Sequence, residues 1–109
     1  MALMALEVAL DSIRSLRVPL ERLRTRDPRL CEQVRAAASS IALNIGEGQR
    51  RCGKDRIHHY RIAAGSAAEA RTGLRVAEAW GYLDLSEIRD ALALLDRVLR
   101  MLWGLTRGA

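Results

Sequence analysis

Aromatic residues, prolines and long apolar runs are all scarce in this sequence. Phenylalanine is absent and only two tyrosines and two tryptophans occur, which disfavours a sandwich of aromatic and β-branched strands. Because Pro19 and Pro28 are the only prolines, regular elements can be long. No apolar stretch approaches the about 20 residues that a membrane-spanning helix needs. We therefore expect a cytoplasmic protein.

Cysteine is also rare, with only Cys31 and Cys52 present. If one helix runs from Arg29 to about Arg50, its rise of about 1.5 Å per residue separates the two thiols by roughly 30 Å. A disulfide requires the two Cα atoms to lie within about 7 Å of each other. We therefore expect two free thiols and a reducing compartment.

Alanine, leucine, isoleucine and valine dominate the apolar half of the sequence, and they recur at helical spacing. The pattern predicts four helices, which begin at about Leu3, Pro28, Lys54 and Leu85. The short links between them favour antiparallel neighbours. We expect one all-α domain over residues 1–109, folded as an up-down-up-down antiparallel four-helix bundle.

Local signals mark several helix boundaries. Asp27 precedes Pro28 and predicts an N-cap followed by proline at the first helical position. Pro19 predicts a kink in the first helix, and Gly81 a C-terminal stop for the third. The sequence from Asp84 to Glu87 predicts a capping box at the start of the fourth helix.

The fourth predicted helix carries two apolar stripes, about 100° apart around its axis. The first contains Leu85, Ile88, Leu92, Leu95, Leu99 and Leu102. The second contains Ala91, Leu94, Val98, Met101 and Leu105. One apolar stripe is enough to pack a helix into a monomeric bundle. The second stripe therefore requires either a wider core contact or a neighbouring subunit. The second alternative predicts an oligomer interface that contains Leu94, Val98, Met101 and Leu105.

Positive charge is concentrated around the link between the second and third helices. The chain has a net charge of +5, and the bases near this link are Arg50, Arg51, Lys54 and Arg56. The acids of residues 78–90 fall at the opposite end of the predicted bundle. The basic end favours an acidic partner such as nucleic acid, bound through its phosphates. Because few aromatic residues lie near this end, base readout is not expected.

No motif for catalysis is complete. Gly48–Lys54 has the glycine and lysine spacing of a phosphate-binding P-loop, but Asp55 stands where such a loop needs serine or threonine. His58 and His59 are adjacent on a helix and make poor joint metal ligands. Cys52 has no partner base. We therefore expect no catalytic residue, no metal site and no cofactor, and a protein that is not an enzyme.

Glycine and polar residues interrupt two apolar helical stretches, at residues 44–48 and 65–69. Glycine within a helix costs about 1 kcal/mol relative to alanine, which a chain tolerates for close packing or for binding. Packing is the favoured interpretation, with Glu69 paired to Arg35 or Asn44, and a ligand site is the alternative. The residues concerned are Arg35, Asn44, Glu47, Gly48, Gly65, Ser66 and Glu69.

The same blocks carry a family resemblance over most of the chain. Residues 35–37, 40–41 and 44–48 of the second helix, 62–69 of the third, and Gly81-Tyr82-Leu83 resemble the 23S ribosomal-RNA intervening-sequence protein family. Relatives in that family include the accessory variability proteins of diversity-generating retroelements. The resemblance implies a four-helix bundle that assembles as a ring-like homopentamer without known catalysis.

Two functional hypotheses follow. The first is a non-enzymatic, oligomeric accessory protein that binds RNA or DNA through Arg50, Arg51, Lys54 and Arg56. By the resemblance, such a protein assists a reverse transcriptase. The alternative is a protein-interaction scaffold of the same fold that has no nucleic-acid role.

Overall fold

The computed structural model describes residues 2–107, which form four α-helices and no strand. The helices are α1 (Ala2–Arg26), α2 (Pro28–Gln49), α3 (Gly53–Ala79) and α4 (Leu85–Thr106). The first residue of each helix lies within one residue of the start that the apolar spacing predicts. The all-α fold is therefore confirmed. Three residues of the predicted domain, Met1, Gly108 and Ala109, lie outside the described residues.

The four helices enclose one core. Each packs against its neighbours along the chain and α4 packs back against α1, while α2 and α3 share the most extensive contact. The bundle measures 42 × 22 × 19 Å. Its core is aliphatic and rich in alanine, with Tyr60 as a buried aromatic side chain. Small side chains at the helix contacts allow close backbone approach, which suits a core that contains no phenylalanine.

The apolar stripe of α3 is buried in full. Its members recur at helical spacing and are Tyr60, Ala63, Ala67, Ala70, Leu74 and Ala77. The corresponding stripe of α2 contains Leu30, Val34, Ala37, Ile41 and Ile45. It is buried from Val34 to Ile45, whereas Leu30 is half-buried and Cys31 takes its place in the core. Helical spacing therefore located the core face of both helices to within one residue.

Two helix ends have the predicted chemistry. The Asp27 carboxylate accepts a hydrogen bond from the backbone N–H of Leu30 at 3.0 Å, so Asp27 caps α2. Gly81 adopts a left-handed φ of 79° after α3. The N–H of Gly81 donates to the carbonyl of Glu78, and the N–H of Tyr82 to that of Ala77, each at 2.9 Å. This pattern is a Schellman motif, and it satisfies two carbonyls at the end of α3.

The predicted capping box of α4 is wrong in its side-chain contacts. Asp84 is the N-cap residue, but its carboxylate accepts no capping hydrogen bond. Glu87 instead forms an ion pair with Arg22 of α1, at 3.3 Å. Glu87 lies at the packed α1–α4 contact, where a cationic partner is within reach. α1 itself continues as one helix through Pro19, which is buried.

Both stripes of α4 contribute to the core of this chain. The buried residues of α4 are Ile88, Ala91, Leu95, Val98 and Leu102, drawn from both stripes. Because α4 packs against both α1 and α3, it needs a wide apolar face. The wider core contact therefore accounts for Ala91 and Val98 of the second stripe. Val98 is fully buried within the chain, so it is unavailable to a neighbouring subunit. Leu94, Met101 and Leu105 are half-buried against the same core.

Candidate nucleic-acid interface

A sharp reversal between α2 and α3 exposes the predicted basic residues. Residues 50–52 link the two helices, and all three are exposed. Gly53 begins α3 with a φ of 61°, a left-handed conformation that glycine adopts without the steric cost of a Cβ atom. Lys54 and Arg56 follow, and both are exposed. The reversal therefore groups these bases at one end of the α2–α3 pair.

Arg51 is held by two carboxylates. Its Nε donates to Oε2 of Glu47 at 3.0 Å, and its Nη1 donates to Oδ2 of Asp55 at 2.8 Å. The hydrogen bond with Arg51 lowers the pKa of Glu47, and the bonds to both carboxylates raise the pKa of Arg51. Through these two bonds Arg51 connects the end of α2 to the start of α3. Because two carboxylates offset its charge, Arg51 attracts an anion less than its neighbours do.

Arg56 also connects the two helices at this reversal. Its Nε donates to the carbonyl oxygen of Gly48 at 3.1 Å. This carbonyl lies in the last turn of α2, where helix carbonyls lack intrahelical partners and a cation is favoured. Arg56 therefore caps α2 from α3, while its side chain stays largely exposed and keeps its charge.

Arg50, Lys54 and Arg61 are the bases left available. No ion pair within residues 2–107 involves them, and all three are exposed. Lys54, Arg56 and Arg61 line a surface hollow together with Gly53 and Ile57. Arg61 is not among the residues that the sequence predicts for this site. Its position seven residues after Lys54, two helical turns on the same face, was the signal that could have found it.

The polar block of α2 connects directly to α3. Oγ of Ser66 donates to Oγ of Ser40 at 2.8 Å, and Nδ2 of Asn44 donates to the same oxygen at 3.1 Å. Nδ1 of His59 lies 3.1 Å from Oδ1 of Asn44. These four side chains form one polar network across the α2–α3 contact. Asn44 and Ser66 therefore lie at the α2–α3 contact, and His59 is an unforeseen member of their network.

Two glycines allow the close approach of α2 and α3. A Cβ atom on Gly48 would lie 2.4 Å from Cε1 of Tyr60, and one on Gly73 would lie 2.6 Å from Cγ2 of Val34. Gly65 differs, because a Cβ atom there would meet open space. The missing Cβ atom of Gly48 therefore makes room for Tyr60 at the helix contact. The missing Cβ atom of Gly65 makes room for no other residue of this chain.

The predicted partner of Glu69 is wrong. Glu69 is exposed, whereas Arg35 lies 3.7 Å from Glu32 on its own helix and Asn44 bonds Ser40. The physical reason is the position of Glu69 on α3. It lies between buried Ala67 and Ala70 in sequence but on the solvent side of the helix, so its carboxylate needs no partner.

The remaining chemistry-bearing residues form no cluster. Across residues 2–107, no three His, Cys, Asp or Glu side chains come together in a way that could hold a metal ion. The segment with P-loop spacing, Gly48–Lys54, joins two helices instead of following a strand. No helix in the described part of the chain combines the length and apolar character needed to cross a membrane.

Comparisons with known proteins agree with this fold. The family model for the 23S rRNA-intervening sequence protein matches residues 4–104. A crystal structure from Bacteroides thetaiotaomicron, of a protein with unknown function from the S23 ribosomal protein family, is similar at a TM-score of 0.83 and 17% identity. The alignment covers 94% of this chain and 98% of that one. No curated protein matches the sequence.

Proposed function

This chain belongs to the 23S rRNA-intervening sequence protein family, and we propose that it is a non-enzymatic accessory protein that binds the phosphate backbone of RNA or DNA. The observation that carries the proposal is the group of exposed bases at the α2–α3 reversal. Arg50, Lys54 and Arg61 have no carboxylate partner among residues 2–107, and Lys54 and Arg61 line one hollow with Arg56. Basic side chains without a carboxylate partner contribute most to the binding free energy when a phosphate neutralises them.

The surroundings of the hollow favour contacts with phosphates over contacts with bases. Nucleobases are held by aromatic stacking platforms or by polar groups that read base edges. Tyr60, the nearest aromatic residue in sequence, is buried in the core. Trp103 is exposed, but it is on α4 and the guanidinium of Arg107 lies 4.6 Å from its ring. We therefore propose binding without sequence preference.

The proposed assembly is a ring-like homopentamer of up-down-up-down antiparallel bundles, as the family resemblance implies. The observed helix contacts are those that this topology requires, and the connections are short. A ring would place several basic ends on one assembly, and simultaneous contacts would raise the overall affinity without any new interaction. The two free thiols, Cys31 and Cys52, suit the cytoplasm as the proposed location.

A salt titration tests nucleic-acid binding. We expect a fluorescently labelled RNA duplex to bind the wild-type chain with an affinity that falls steeply as salt rises. The double variant Lys54→Glu, Arg61→Glu should bind at least tenfold more weakly. It should also lower the slope of log affinity against log salt by about 2, one unit for each lost phosphate contact. Fluorescence anisotropy measures both quantities.

The matched control is Arg75→Glu, Arg89→Glu, which makes the same change of charge at exposed positions away from the hollow. It should retain most of the affinity. No binding at low salt would contradict the proposal, and so would an equal loss in the control, because net charge alone would then explain the effect.

The alternative is a protein-interaction scaffold. Large apolar side chains that are exposed, such as Leu43 and Trp80, favour this alternative because a partner protein could cover them. A reverse transcriptase is the partner that the family resemblance suggests for either role. If the chain is a scaffold, Lys54→Glu, Arg61→Glu should leave binding of that partner unchanged in a pull-down. If nucleic acid bridges the two proteins, the same variant and nuclease treatment should each abolish the interaction.

A further inference from the structure

A groove runs between α1 and α2 on the outside of the bundle, away from the basic hollow. Its floor is apolar and includes Ile13 and Leu20 of α1 and Ala38 of α2. Ile13 and Leu20 are half-buried, so apolar surface remains open to solvent along this groove. Apolar surface in a concave groove gains free energy when another apolar group covers it.

The rim of this groove is positively charged. Arg17 and Arg24 of α1 and Arg35 of α2 line it, with Glu21 as the single acid among the lining residues. Within residues 2–107, Arg17 and Arg24 form no ion pair, and the contact of Arg35 with Glu32 is exposed and long at 3.7 Å. An apolar floor with an arginine rim suits a segment that presents apolar side chains flanked by carboxylates.

The same chain carries such a segment at the link between α3 and α4. Trp80 and Leu85 are 69% and 49% exposed, so both present apolar surface to solvent. Asp84 lies beside Leu85, and Asp90 follows on α4 next to Arg89, which is exposed as well. Both aspartates are exposed, and neither forms an ion pair in the described part of the chain. We call Trp80, Asp84, Leu85 and Asp90 the acidic turn.

We propose that the acidic turn of one copy docks into the α1–α2 groove of the next copy. Trp80 and Leu85 cover the apolar floor, and Asp84 and Asp90 face Arg17 and Arg24. This assignment rests on the self-association proposed above and names the surfaces that form it. Because the two surfaces are different, the contact is head-to-tail and generates a closed ring where the rotation between copies permits.

Charge complementarity distinguishes this pair of surfaces from the other exposed apolar positions. Leu43 is the most exposed of the large apolar side chains, at 72%. It lies in the stretch of α2 from residue 36 to residue 46, which contains no charged residue. A contact centred on this stretch finds no charged side chain within it to form an ion pair. The α2 face around Leu43 is therefore the competing surface in the test.

A charge-swap experiment tests the docking. The groove variant is Arg17→Glu, Arg24→Glu, and the turn variant is Asp84→Lys, Asp90→Lys. We expect the wild-type chain to sediment as an assembly and each variant alone to sediment as a single chain. An equimolar mixture should recover association into species larger than a single chain, because each acidic turn then meets a basic groove and each basic turn an acidic groove. Because the two variants must alternate, these species are open or contain an even number of chains, so their size differs from that of a five-membered ring. Sedimentation velocity measures the species, and far-UV circular dichroism verifies that each variant is helical.

Tryptophan fluorescence adds a local readout. In the Trp103→Phe background, Trp80 is the only tryptophan, so its emission reports on the acidic turn alone. Emission should shift to the blue on assembly, and the groove variant should lose this shift. Arg97→Glu, Arg100→Glu is the matched control, since it changes the net charge as much as the groove variant does at exposed positions outside both surfaces, and it should assemble like the wild type.

The outcomes separate this docking from the wider proposal. A wild-type chain that stays single would overturn both the self-association and the docking. An assembly that survives in both charge variants would overturn the docking alone. If Leu43→Glu then abolished the assembly, the contact would lie on the α2 face around Leu43. Failure of the mixture to assemble would also count against the docking. Nucleic-acid binding is measured separately, and its result does not bear on these outcomes.

Discussion

Gly48 and Gly65 both interrupt apolar helical stretches, and their surroundings differ. Gly48 is buried in the last turn of α2 against the ring of Tyr60, whereas Gly65 is exposed on α3. The sequence shows the same feature in both places, a glycine where alanine would stabilise the helix. Only the position of the neighbouring helix distinguishes them, because the need for a missing Cβ depends on what lies opposite.

The two glycines predict opposite responses to alanine. Gly48→Ala should lower the free energy of unfolding by about 1–3 kcal/mol, since the buried Tyr60 ring has little room to move away from the new methyl group. Gly65→Ala should raise it by about 0.5–1 kcal/mol, because alanine reduces the backbone entropy lost on folding. Urea unfolding followed by circular dichroism at one chain concentration measures both. Equal effects at the two positions would contradict this assignment.

The four basic residues between positions 50 and 56 also differ in their contacts. Arg51 is engaged by Glu47 and Asp55, and Arg56 caps a carbonyl of α2, while Lys54 and Arg50 have no carboxylate partner among residues 2–107. The sequence predicts that all four are basic and close together. Which of them keeps its charge available depends on side-chain contacts that form across the reversal.

At the level of elements, α2 and α4 both begin after an aspartate, and only one of the two carboxylates caps its helix. Asp27 accepts a hydrogen bond from Leu30, whereas Asp84 accepts none. Asp27→Ala should therefore lower the free energy of unfolding by about 1 kcal/mol. Asp84→Ala should cost less, about 0.3–0.5 kcal/mol, through the helix dipole alone.

Thermal or urea unfolding in the Arg17→Glu, Arg24→Glu background, in which the chain is expected to be single, measures both aspartate variants, because lost docking of Asp84 would otherwise lower the apparent stability. A loss for Asp84→Ala that matches the loss for Asp27→Ala would show that Asp84 caps α4 in solution. The N-cap position is readable from sequence in both helices. The hydrogen bond is not, because it depends on the rotamer of the aspartate and on competing partners.

On the scale of the whole molecule, the two cysteines lie at opposite ends of α2. Cys31 is buried, its thiol donates to the carbonyl of Leu20 at 3.2 Å, and burial raises its pKa. Cys52 is exposed at the α2–α3 link. A helix of this length separates them by roughly 30 Å. Cys31 therefore has little reactive thiolate, and neither thiol can reach the other within one folded chain.

A mild oxidant should consequently link two chains through Cys52 and form no internal disulfide. On a non-reducing gel, the dimer should be absent for Cys52→Ser and unchanged for Cys31→Ser. Urea should expose Cys31 and make it available to an alkylating reagent, which mass spectrometry detects. A folded monomer that loses two hydrogens on oxidation would contradict the separation of the two thiols.

The sequence by itself determined the four helices, their buried faces and the basic character of the α2–α3 link. These features are local, since helical spacing, caps and charge depend on residues a few positions apart. Only the tertiary structure decided that Val98 is core, that Glu69 is exposed, and that Arg61 joins Lys54 at the hollow. It also placed an arginine-rimmed groove on α1 and α2 and an acidic turn between α3 and α4. Those features depend on which helix lies opposite, and that is set by the packing of all four helices together.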